Sequence, residues 1–191
     1  MDITSFLLYC FIVTFTPGPT NIVILSIVHN YGPNKAIEYT YGATIAFGLL
    51  LGISAILNAA LLTVIPKVLI GMKLIGTIYM LYLAYQIFKM NSSNSTDYKT
   101  GTFISGFLMQ FLNPKVVIFT LTVIPSFVLP NYTDTFAVTI SVIVITIIGL
   151  LGFVSWVLFG TFLKKLLQKH SRIVNLIMAV GMVYATLMIW I

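Results

Sequence analysis

Residues 15–24 read Phe15-Thr16-Pro17-Gly18-Pro19-Thr20-Asn21-Ile22-Val23-Ile24, a polar stretch with two prolines inside an otherwise apolar run from 3 to 28. Proline lacks a backbone donor and clashes with the preceding helical turn, so it interrupts a helix interior. It is welcome as the first residue of a new helix. The stretch therefore predicts a broken helix. Thr16-Pro17 and Gly18-Pro19 are both candidate restart points, and the second half-helix runs through Thr20 and Asn21 towards Val28. The chain repeats the device at Phe111-Leu112-Asn113-Pro114-Lys115, followed by Val116-Val117-Ile118. Here Asn113 is placed as a cap and Pro114 as the first helical residue, with an apolar helix on to about Ile124. Pro19 and Pro114 stand 95 positions apart, close to half of the 191 residues.

The composition around these breaks admits only an integral membrane protein. A soluble chain of this length carries about 25% charged residues, or roughly 48; this one has 10 Lys and Arg and 4 Asp and Glu, with 59% apolar residues. Its mean hydropathy is +1.06. A soluble enzyme, a secreted disulfide scaffold and a nucleic-acid module are all excluded, the last because the basic residues form no dense patch. Apolar stretches near 3–28, 37–62, 69–89, 102–127, 133–160 and 173–191 predict six transmembrane helices. They are continuously apolar, which favours helices over a barrel. Met1-Asp2 offers no positive region for a cleavable signal. The one cysteine, Cys10, excludes an internal disulfide and a dithiol relay, and reads as a small apolar residue of the first span.

Charge sets the expected orientation, because cytoplasmic loops collect Lys and Arg. Lys35, Lys89, Lys99, Lys164, Lys165, Lys169 and Arg172 follow the odd-numbered spans, whereas only Lys67 and Lys73 lie on the other side. Both termini are expected outside, with the basic loops in the cytoplasm. His29 and His170 fall in the same connections. Asn91-Ser92-Ser93-Asn94-Ser95-Thr96 reads as a polar linker, about 91–100, within a single transporter domain of residues 1–191. It separates halves of about 1–90 and 101–191, each with three spans. Related halves with an odd number of spans are inverted, so the expected fold is an all-α membrane protein with a 3+3 inverted repeat and broken helices 1 and 4.

Each half-helix would start inside the membrane, presenting free N–H groups and the positive end of a helix dipole, an arrangement that suits an anion such as a carboxylate. Lys115 is the one charged residue well inside a span, and intramembrane charge is a functional expectation by default. Its ammonium is placed to pair with a substrate carboxylate; the competing reading is a lysine that snorkels to the interface. The candidate substrate-binding residues are Pro17, Gly18, Pro19, Asn21, Gln110, Asn113, Pro114 and Lys115. In the second span Gly42, Ala46, Gly48 and Gly52 form small-residue spacings for close helix packing. Tyr79, Tyr82 and Tyr85 form a stripe suited to packing and interfacial anchoring.

Thr16-Pro17-Gly18-Pro19-Thr20-Asn21 resembles the Pro-Gly-Pro-x-Asn signature of the lysine exporter (LysE/RhtB-type) amino-acid efflux family. Asn113-Pro114-Lys115 with Phe119 and Pro125 resembles its second signature, and the likeness extends over the whole chain. Gln110 to Lys115 and Phe127-Val128-Leu129-Pro130 look most like the cysteine/O-acetylserine exporter branch. The resemblance implies export of amino acids or close derivatives across the bacterial inner membrane, in exchange for protons. The partners implied are a small amino acid, protons and the bilayer, with no nucleic acid and no cofactor; a homo-oligomer is left open. Two departures stand out. Thr20 occupies a position where many members have Asn, and Leu49-Leu50 fall where many carry an acid in span two. Without a mid-membrane carboxylate, Lys115 itself is the first candidate for proton coupling, cycling between charged and neutral, and Glu38 at the cytoplasmic end of span two is the second. The same absence favours a neutral substrate, cysteine/O-acetylserine-like or threonine/homoserine-like. The rival classes are a membrane-embedded enzyme, for which no catalytic pattern is visible, and a passive channel or scaffold.

Overall fold

The computed structural model describes residues 3–89, 101–132, 134–188 and 190, and the side chains of these except 58–69, 72 and 166–168. The linker read at 91–100 lies outside them. The described residues form helices α1 (Ile3–Phe15), α2 (Pro19–Tyr31), α3 (Pro33–Lys89), α4 (Phe103–Leu112), α5 (Pro114–Val123), α6 (Thr135–Lys169) and α7 (Ser171–Met188), with a π-helical turn at Ile124–Val128 after α5. By length and composition Pro33–Leu57, Thr135–Lys165 and Ser171–Met188 can each cross a membrane. Two bent pairs qualify as broken spans, α1 with α2 at 46° and α4 with the segment Pro114–Val128 at 67°, giving up to five candidate spans among the described residues.

Both bends follow from proline. A residue before proline is pushed out of the helical region, so Thr16 and Gly18 end α1 and delay the restart to Pro19. Gly18 is extended (φ −165°, ψ 176°), and Pro19 opens α2. In the second break Asn113 is extended (φ −93°, ψ 103°) and Pro114 opens α5. Gly32 closes α2 at φ 90°, which favours glycine, and its N–H reaches the carbonyls of Ile27 and Val28. Thr102 starts α4 with a reciprocal capping box to Ser105.

The largest difference from the sequence reading is α3. A connection was expected between spans ending at 62 and starting at 69, but the backbone is helical from Pro33 to Lys89. A straight helix would put residues 39 and 83 about 66 Å apart at 1.5 Å per residue. Instead Tyr39 and Ala43 share a buried cluster with Met80, Leu83 and Ala84. α3 therefore folds back, and its arms, 33–57 and 70–89, lie side by side.

Both arms press on α4 through glycines. A Cβ at Gly42 would fall on the Phe103 carbonyl, one at Gly106 on the Tyr39 carbonyl, and one at Gly76 on the Leu112 carbonyl. The predicted small-residue row of the second span divides. Gly42 meets α4, Gly48 meets Thr146 of α6, and Gly52 faces open space. Two buried clusters result, one around Val23, Ile24, Ile27, Met80, Met109 and Met182, the other around Phe6, Cys10, Phe47, Phe119, Ile124 and Ile145. The outer surface stays apolar, with Phe162 85% and Ile56 83% exposed, as suits a lipid-facing wall.

Candidate substrate site between the two helix breaks

The two breaks meet. Thr20, the second residue of α2, is buried, and its Oγ1 accepts from Asn113 Nδ2 at 3.0 Å and from Gln110 Nε2 at 3.3 Å. Asn113 faces both ways, because its Oδ1 accepts from the Lys115 backbone N–H at 3.1 Å and so caps α5. The start of α5 is thus satisfied by its own sequence. The start of α2 has no such cap: Gly18 has no side chain to offer, and the first bond of the new helix runs from Ile22 N–H to Gly18 O. Of the two helix N-termini, the α2 end is the one with backbone donors to offer.

The open end of α1 is covered by donors from elsewhere. Asn21 Nδ2 donates to Thr14 O and Thr16 O at 3.3 and 2.9 Å, and Trp156 Nε1 to Phe15 O at 3.1 Å. Lys115 Nζ crosses 99 residues to Thr16 Oγ1 at 3.0 Å and Thr16 O at 3.3 Å, and approaches Pro17 O at 3.5 Å. A cation at a helix C-terminus is also favoured by the dipole. Lys115 therefore joins the second break to the first. Its side chain runs over Gly18, where a Cβ would stand 3.2 Å from Lys115 Cδ and Nζ.

A small cleft with a cavity volume of about 30 Å³ opens here, where the two apolar clusters meet. Its lining combines the polar or small residues Thr14, Gly18, Thr20, Asn21, Asn113 and Lys115 with the apolar residues Val13, Val116, Phe47, Phe119 and Phe153. Phe47 stacks on Phe119 with centroids 5.9 Å apart and meets Phe153 edge-on at 6.3 Å. Because Asn21 Nδ2 points at two carbonyls, its Oδ1 is held the other way, and that oxygen has no partner among the described residues although Asn21 is only 4% exposed. Gln110 Oε1, fully buried behind Thr20, is likewise unpartnered. The cleft thus brings donors, an orphan acceptor on Asn21 and three aromatic rings into one lining. Among the described residues no acidic side chain lines it.

Gly18, Asn21, Asn113 and Lys115 line the cleft; Pro17, Pro19, Gln110 and Pro114 sit behind it as the frame of the breaks. Glu38 does not join them. It pairs with Lys35 at 2.8 Å and accepts from the Phe103 N–H at the far end of α4, about 15 Å from Asn113 along a ten-residue helix. The sequence reading passed over Phe47, Phe153 and Trp156, noted Phe119 only within a signature and Thr20 only as a departure from a pattern. It also placed His29 in a connection, whereas His29 lies within α2 and is 2% exposed. Among the described residues no group of three or more His, Cys, Asp or Glu gathers as a metal site.

The model of the LysE type translocators matches residues 11–191. The chain belongs to the LysE type translocator family. It is a multi-pass membrane protein and a transporter of the amino-acid efflux kind rather than an enzyme. This translocator is 29% identical to the cysteine/O-acetylserine efflux protein of Klebsiella pneumoniae subsp. pneumoniae, over 98% of this chain and 96% of the relative. It is also 29% identical to the protein of the same name from Salmonella typhimurium, over 100% and 98%, and 26% identical to that of Escherichia coli K12, over 98% and 97%. No solved structure matches the translocator.

Proposed function

We propose that this translocator exports neutral amino acids or their derivatives, of cysteine/O-acetylserine or threonine/homoserine size, through the cleft between the two breaks. The carrying observation is that breaks 95 positions apart are tied together by Thr20, with Lys115 spanning them. A zwitterion brings a carboxylate and an ammonium on one carbon. The carboxylate would take Lys115 Nζ and the open start of α2, displacing the ammonium's bonds to the Thr16 and Pro17 oxygens. The substrate ammonium would find Asn21 Oδ1, and the side chain would lie against Phe47, Phe119 and Phe153. A lining without carboxylates supports a neutral side chain over a basic one, and the names of the relatives support the same class.

The proposal includes a six-span 3+3 inverted arrangement in one domain, the returning arm of α3 (70–89) supplying the remaining span, in the bacterial inner membrane. The termini lie outside and the basic loops in the cytoplasm. Export is proposed to be exchanged for protons, with Lys115 as the coupling group that meets the substrate and Glu38 as its alternative. Counterflow in proteoliposomes with cysteine, O-acetylserine, threonine, leucine and lysine tests the substrate class; preference for lysine overturns it. Efflux by Lys115→Met and Glu38→Gln variants tests the coupling group, and full proton-coupled efflux by Lys115→Met removes Lys115 from that role.

A further inference from the structure

The end of α2 away from the cleft carries a second buried polar group that the proposed site does not use. His29 is 2% exposed; its Nε2 stands 3.2 Å from Ser171 Oγ at the start of α7, and its Nδ1 has no partner among the described residues. The next residue, Asn30, donates from Nδ2 to Ser26 O at 2.9 Å and to Asn175 Oδ1 of α7 at 3.5 Å. Its Oδ1 is also buried and unpartnered. The seam between α2 and α7 is therefore polar at this end, whereas nearer the cleft it is sealed by Val23, Ile24, Ile27, Met178 and Met182. A buried polar atom left unpaired costs about 1–3 kcal/mol.

The charged groups on the elements packed against α2 are mostly cations: Arg172 on α7; Lys164, Lys165 and Lys169 on α6; and Lys35, Lys67, Lys73 and Lys89 on α3, with the carboxylate Glu38, while α4 has none. His170 precedes α7, and the tyrosines are Tyr31 on α2, Tyr39, Tyr41, Tyr79, Tyr82 and Tyr85 on α3 and Tyr184 on α7. The one carboxylate, Glu38, is paired with Lys35, and Lys164 Nζ lies 3.8 Å from where a Cβ of Gly32 would stand. Among the described residues, a charge on the His29 ring would find no free carboxylate to compensate it in the closed seam, so a charged ring favours the seam open to water. Pro19 and His29 are joined by one helix, about 15 Å along its axis, so a shift of α2 at the cleft moves the seam.

We propose that His29 is the inner proton station of this transporter. With the neutral ring's hydrogen on Nε2 and donated to Ser171, the Nδ1 lone pair takes the proton; the charged ring opens the α2–α7 seam and releases the proton to water on the basic-loop side. This rests on the reading of the protein as a proton-coupled exporter, in which Lys115 meets the substrate at the other end of α2.

The test is efflux of labelled O-acetylserine from proteoliposomes with and without an imposed pH gradient, with counterflow at equal pH on the same preparations. Wild type is expected to respond to the gradient by about fivefold or more. His29→Gln, which hydrogen-bonds but does not titrate, is expected to show counterflow while its efflux no longer responds to the gradient. Ser171→Ala, which loosens the same contact but keeps the ring, is expected to retain the response. A gradient response in His29→Gln, or its equal loss in Ser171→Ala, overturns the proposal. So does loss of counterflow in both His29→Gln and His29→Asn, which makes the residue structural. Wild-type counterflow without any gradient response removes proton coupling itself and the station with it. Absence of wild-type counterflow removes the substrate reading instead.

Discussion

Thr20 holds the two halves of the site together with a single oxygen. Replacing it by Val keeps the shape and leaves Asn113 Nδ2 and Gln110 Nε2 without their acceptor in a buried place. The expected loss is about 2 kcal/mol or more, since each buried unsatisfied donor costs about 1–3 kcal/mol. Thermal unfolding in detergent measures it, and Thr20→Ser is expected to unfold near wild type. Lys115→Met removes a charge-assisted partner of the carboxylate, worth about 1.5–3 kcal/mol, and so is expected to raise the apparent KM for a zwitterion by about 10- to 100-fold. Initial-rate transport kinetics read this directly. Lys115 was legible in the sequence because charge inside an apolar span is rare. Thr20 was not, because a threonine near a helix start is ordinary, and its importance comes from partners 90 and 93 positions away.

Among the helices, the breaks were the legible part. Proline chemistry acts on its immediate neighbours, so Gly18-Pro19 and Asn113-Pro114 announce their bends locally. The choice between Thr16-Pro17 and Gly18-Pro19 was not local: α1 ends at Phe15, and its last carbonyls are taken up by Trp156, Asn21 and Lys115. The return of α3 was legible as two apolar arms, but the place and form of the bend between them were not, because periodicity fixes faces and not the path of the backbone. The glycines make the element-scale prediction. Gly42→Ala and Gly106→Ala put a methyl onto a carbonyl of the facing helix and are expected to destabilise by about 1–3 kcal/mol through overpacking. Gly52→Ala, with nothing within 4 Å of its Cβ position, is expected to be near neutral. Thermal stability of the three purified variants decides the matter. Equal effects at Gly42 and Gly52 contradict the close approach of α3 and α4.

For the molecule as a whole, scarcity of charge suits the chain to the bilayer, and seven basic residues on one set of loops are the basis of the proposed orientation. The proposed orientation predicts that a cysteine introduced at Ser93 labels from the cytoplasmic face and one at Tyr132 from the outer face, against a silent background because Cys10 is fully buried. Labelling of intact cells with a membrane-impermeant thiol reagent distinguishes the faces; reversal of the two inverts the orientation. The central claim is that the two helix breaks form one amino-acid site with Lys115 in its lining. Counterflow of labelled O-acetylserine, with wild type and Lys115→Met side by side, tests it most directly. The expected result is saturable exchange by wild type, inhibited by neutral amino acids, and an apparent KM raised about tenfold or more in the variant. Unchanged exchange by Lys115→Met, or exchange inhibited by lysine better than by any neutral amino acid, contradicts it.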